Sequence, residues 1–88
     1  MKLKYEFVTT SMGDEITAVP VGDSAFHGIV RLNAVGAEIL ELLKEDTTPE
    51  QVHRCLKERY PDSTDQEIGE NLVAFLNYLL REGLLIGP

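Results

Sequence analysis

The side chains able to do chemistry are few, and their spacing does not gather them. The histidines are His27 and His53, and the single thiol is Cys55. Neither histidine has a second His, a Cys or a carboxylate at metal-ligand spacing, and a zinc centre needs three or four such ligands. One cysteine cannot close an internal disulfide. Cys55 falls on the apolar stripe of a helical pattern, which predicts a buried, inert thiol. The run Asp62-Ser63-Thr64-Asp65-Gln66-Glu67 begins like a calcium loop, but its sixth position is Glu67 rather than Gly and its twelfth is Val73 rather than Glu. It reads better as a helix N-terminus, where carboxylates meet the positive end of the dipole. Gly13, Gly22 and Gly28 are isolated and form no phosphate-binding pattern. The expectation is a protein without catalysis, metal or cofactor.

The elements that must hold these residues fall into two halves. Residues 1–33 read as strands and residues 34–88 as helices, with no linker between, so residues 1–88 form one α+β domain. Strands are expected at Lys4 to Thr10, Glu15 to Val19 and Phe26 to Leu32, separated by Met12-Gly13-Asp14 and Val21-Gly22-Asp23-Ser24 turns. Such short connections favour an antiparallel three-stranded meander. In the third strand, Phe26, Gly28, Val30 and Leu32 share one face, and His27, Ile29 and Arg31 the other.

Asn33 is an N-cap for a helix to about Glu45. Thr48-Pro49-Glu50-Gln51 has the capping-box pattern with Pro at the first helical position, and Pro61 stops that helix near Tyr60. Thr64-Asp65-Gln66-Glu67 is a second box opening the longest helix, which Gly83 ends. At about 100° per residue, Ile68, Leu72, Leu76 and Leu79 form the centre of its apolar arc. Phe75 flanks them beside Asn71 and Tyr78, and Val73 and Leu80 lie on the other flank. An arc of roughly 160° is wider than the roughly 100° that seats a helix on a core, so part of it is available to a partner.

The chain has 88 residues and a formal charge of −7. From Ala34 onward there are five basic and eleven acidic residues, and the third helix starts with Asp65, Glu67 and Glu70. That helix would be repelled by a DNA groove, so nucleic acid is not the expected partner. No apolar run approaches the about 20 residues of a membrane span, and the start has no signal-peptide pattern. A cytoplasmic protein is expected.

One resemblance is carried by Gly28-Ile29-Val30-Arg31-Leu32-Asn33, by Ala34-Val35-Gly36-Ala37-Glu38-Ile39-Leu40-Glu41-Leu42-Leu43, by Thr48-Pro49-Glu50-Gln51-Val52 and Tyr60-Pro61, and by Phe75-Leu76 and Arg81-Glu82-Gly83-Leu84-Leu85. These residues resemble the PqqD-like family, peptide chaperones also called recognition elements of ribosomally made, post-translationally modified peptides. The resemblance implies a winged-helix-like fold and no catalysis. It implies binding of a precursor's leader segment as an added strand, and its presentation to a modifying enzyme, often of the radical SAM type. Carried onto this chain, the peptide-binding residues are Phe26, His27, Gly28, Ile29, Val30 and Arg31 on the third strand, with Asn71, Leu72, Phe75, Leu76 and Leu79 on the long helix. A free outer strand edge suits that role, because its unpaired N–H and C=O groups template another chain. The acidic balance would attract a leader or enzyme surface rich in Lys and Arg. Two other readings stay open: a stand-alone recognition protein of lasso-peptide maturation working with a leader peptidase, and an acidic winged-helix homodimer with a structural or regulatory role.

Overall fold

The computed structural model describes residues 1–22 and 28–87. Strands β1 (Lys2–Leu3), β2 (Phe7–Met12), β3 (Glu15–Pro20) and β4 (Val30–Leu32) come first. Helices α1 (Ala34–Leu42), α2 (Pro49–Arg59) and α3 (Asp65–Arg81) follow, and β5 (Leu85–Ile86) closes the chain. The α+β class and the three-stranded antiparallel sheet ahead of three helices match the expectation from sequence.

The main sheet has the order β2-β3-β4. Met12 lies opposite Glu15, so the β2–β3 loop is only Gly13-Asp14. Gly13 has φ +59, and no non-glycine residue has a positive φ among the described residues. That is the pattern of a type II′ turn, whose first central position suits glycine. The turn expected over Met12-Gly13-Asp14 is therefore tighter, and β2 runs from Phe7 to Met12 instead of Lys4 to Thr10. β4 is shorter than expected: within the described residues it covers Val30–Leu32, and Gly28 and Ile29 precede it outside regular pairing. Phe26 and His27 lie outside the described residues.

The helix signals translate into contacts. Asn33 Oδ1 accepts from Gly36 N–H at 2.7 Å. Thr48 Oγ1 accepts from Gln51 N–H at 3.2 Å while Gln51 Oε1 accepts from Thr48 N–H at 3.2 Å, so both halves of that box are made. At α3 only the Thr64 half is made among the described residues, with Oγ1 accepting from Glu67 N–H at 3.1 Å. Helix α1 stops at Leu42 rather than Glu45. The carbonyl of Leu43 there accepts from Leu3 N–H at 2.9 Å, which diverts the chain end away from helical pairing.

That bond belongs to a clasp not expected from the sequence. Lys2 pairs with Ile86 and Leu3 with Leu85, joining β1 to β5. Lys4 N–H donates to Leu84 O at 2.8 Å, and the Met1 ammonium donates to Asp46 Oδ1 at 2.8 Å and Thr47 O at 2.7 Å. By that hydrogen bond, and then by its charge, the ammonium holds the Asp46 carboxyl below its ordinary pKa.

All three helices feed one core. Ile39, Leu40 and Leu43 meet Val52 and Leu56, then Ile68, Leu72, Leu76 and Leu79, with Phe7, Ala18, Val30 and Leu32 from the sheet and Leu84 from the C-terminal end. Cys55 is half-buried and outside that cluster, so the expectation of a buried thiol does not hold. Among the described residues no helix is long and apolar enough to cross a membrane.

Candidate functional site, a strand edge beside a helical wall

Strand β3 is central, which leaves β4 with one edge unpaired among the described residues. The C-terminal strand does not cover it, because β5 pairs with β1. Within β4 the side chains alternate: Val30 is 1% exposed, Arg31 is exposed and Leu32 is buried. Ile29, one residue earlier, is 62% exposed. The face assignment of Ile29 and Arg31 against Val30 and Leu32 is thus the observed one.

Beside this edge lies a notch of about 270 Å³. Arg31 and Asn33 flank it from the sheet side, Val35, Gly36 and Ile39 come from α1, and Asn71, Ala74, Phe75 and Tyr78 come from α3. The volume sits just under the roughly 300–1,000 Å³ of small-molecule sites, and suits side chains projecting from a strand laid alongside. Its wall is aromatic: the Phe75 and Tyr78 rings stack at 6.4 Å between centroids. The Arg81 guanidinium stands over the Tyr78 ring at 6.0 Å and extends that wall. Gly36 spares the α1 N-cap a crowded contact. A Cβ there would lie 3.2 Å from Asn33 Oδ1 and 3.6 Å from Phe75 Cε1.

The expected residues divide accordingly. Asn71 and Phe75 line the notch with Arg31, so the α3 flank that faces it is the Phe75 side. Leu72, Leu76 and Leu79 do not reach it. They occupy the centre of the apolar arc and are 4%, 9% and 0% exposed because that centre is pressed onto the core. The Val30 side chain is also core, so only its main chain is at the edge. Tyr78, Asn33, Gly36 and Ala74 were not expected in the site. Glycine at the third position of a helix was the available signal, because it costs about 1 kcal/mol of helix propensity and marks a close approach.

Folding also brings His53 Nε2 to 3.3 Å from Asp65 Oδ1 across the α2–α3 interface, a pairing twelve residues apart that sequence spacing hides. Among the described residues no group of three or more His, Cys, Asp and Glu could hold a metal ion. Larger clefts exist: about 640 Å³ between α2 and α3, about 490 Å³ along β1 and the start of β2, and about 450 Å³ beside Leu76 and Leu80. Size alone therefore does not select the site.

The sequence profile of the family described as coenzyme PQQ synthesis protein D (PqqD) matches residues 20–85. This chain belongs to the PqqD family. The matched span takes in β4 and all three helices, hence the whole notch, and excludes β1, β2 and nearly all of β3. Strand β2, on the other side of the sheet, lies outside the PqqD match. No curated protein matches the chain. Among solved structures, TbiB1 in complex with the TbiA(beta) leader peptide is similar over 100% of this chain and 98% of that one, with a TM-score of 0.74 and 26% identity.

Proposed function

We propose that this chain is a non-catalytic adaptor that captures the leader segment of a ribosomally made precursor peptide and presents it to a modifying enzyme of the radical SAM type. The leader adds as a strand along β4, its main chain using the N–H and C=O groups that β3 leaves unpaired, and its side chains entering the notch walled by Phe75 and Tyr78. The observation that carries this reading is that open edge beside the notch, within the span matched by the PqqD profile. The similarity to TbiB1, which was solved with a leader peptide, supports the same use of the fold.

Main-chain pairing supplies affinity in such strand addition, and alternate side-chain pockets supply choice of partner. A notch of this size holds few side chains, so a Kd of about a micromolar is expected, near −8 kcal/mol. Isothermal titration of the full chain with synthetic leaders of the precursors encoded beside it tests the reading. One leader should bind with saturable heat and a negative heat-capacity change from apolar burial. Absence of binding by all of them, with light scattering showing a stable dimer, would replace this reading with that of a homodimer closed edge to edge.

A further inference from the structure

Strand β4 carries one charged residue, Arg31, opposite in sign to the charge of the molecule. The chain carries 15 Asp and Glu residues and a formal charge of −7. Yet no carboxylate is among the described residues lining the notch, and the charged residue of the edge itself is Arg31, whose side chain stands on the exposed face of β4. No ion pair engages Arg31 among the described residues, whereas Arg59 is held by Glu38 and Lys44 by Glu41.

We propose that β4 selects an acidic residue in the peptide strand it captures, set beside Arg31 and flanked by apolar residues. This rests on the strand-addition reading above and names the substrate class for that site. The pattern follows from strand geometry. Residues directly opposite one another on neighbouring strands point to the same face. A peptide residue beside Arg31 therefore projects to the open face with the guanidinium, and an Asp or Glu there forms an ion pair. Its two neighbours in the peptide point the other way, toward Phe75 and Tyr78, and must be apolar. Two residues along, the peptide side chain on the open face meets Ile29, which is 62% exposed and gains from an apolar contact.

The net charge does not oppose this choice at close range. Exposed charges farther away than the Debye length of about 8 Å at physiological ionic strength are largely screened. What the peptide feels at β4 is Arg31 and, among the described residues, a lining without carboxylates. The local preference is thus the reverse of the Lys- and Arg-rich leader that the overall charge suggests.

Selection of a displayed library of random decapeptides against the full chain tests this, followed by fluorescence anisotropy on the enriched peptides. The wild-type protein should enrich peptides with Asp or Glu between apolar residues, and replacing that acid by Lys should raise Kd about fivefold or more, the size of a cross-strand ion pair. Arg31→Glu should reverse the preference toward Lys, and Arg31→Lys should keep it. Enriched peptides with a neutral or basic residue there, or an unchanged preference in Arg31→Glu, would overturn the inference and leave strand addition standing. No enrichment at all would overturn both. The acid-to-lysine exchange in the peptide is read on the wild-type protein, so that comparison is independent of how any variant folds.

Discussion

Truncating Phe75 separates the two flanks of α3. A fully covered Phe side chain buries roughly 150–250 Å². Phe75 is half-buried in the free protein, so a strand laid in the notch covers about 50 Å² more, worth about 1.2 kcal/mol. Phe75→Ala should therefore weaken peptide binding roughly eightfold. The same change costs folding free energy, below the about 3–5 kcal/mol of a fully buried Phe→Ala. A chain of this length has about 4–13 kcal/mol to draw on, so the variant should melt at a lower temperature, and binding is read in the cold where the melt shows it folded. The assay is isothermal titration at 15 °C, with circular dichroism melts of each variant and Phe75→Leu as the milder change. Val73→Ala and Leu80→Ala are the comparison, since these side chains are 58% and 61% exposed on the opposite flank. They should bind peptide as the wild type does. A folded Phe75→Ala with unchanged Kd, or an equal loss in Val73→Ala, would refute the assignment of the groove to the Phe75 flank.

Two further predictions concern the scaffold. Leu79 is fully buried at the centre of the α3 arc, so Leu79→Ala should cost about 2–5 kcal/mol, read as a lower urea midpoint with an unchanged slope. The Met1 ammonium lowers the folded-state pKa of Asp46. The stability from that pair is thus present above the ordinary carboxylate value of 3.8 and is lost as pH falls through the lower folded value. Asp46→Asn should narrow the gap in melting temperature between pH 6 and pH 3, and an unchanged gap would contradict the pairing.

The helices were legible because each start is written in side chains. Asn33, Thr48 and Thr64 each cap the helix that follows them. Burial along β4 was legible from alternation, with Val30 and Leu32 inward and Arg31 outward. The β1–β5 clasp was not. Its strands are two residues each, too short for any period to show, and they join Leu3 to Leu85 across nearly the whole chain. The site was half legible. Periodicity ranked Leu72, Leu76 and Leu79 as the apolar face of α3 but could not divide an arc between core and groove. That division depends on where α1 sits against α3, which the spacing of residues within α3 does not contain. The local charge along β4 was illegible for a similar reason, since total charge carries no information about which side of the fold the carboxylates occupy.

Strand addition at β4 is tested most directly by amide chemical shifts and cross-strand nuclear Overhauser effects on the labelled full chain, titrated with an enriched decapeptide. The predicted result is saturable shifts at Gly28 to Leu32 and at Asn71, Phe75 and Tyr78, with Overhauser contacts between peptide and β4 main-chain protons and slowed exchange of β4 amides. Shifts confined to β2, or to the α2–α3 cleft around His53 and Val73, with β4 amides unmoved, would contradict it.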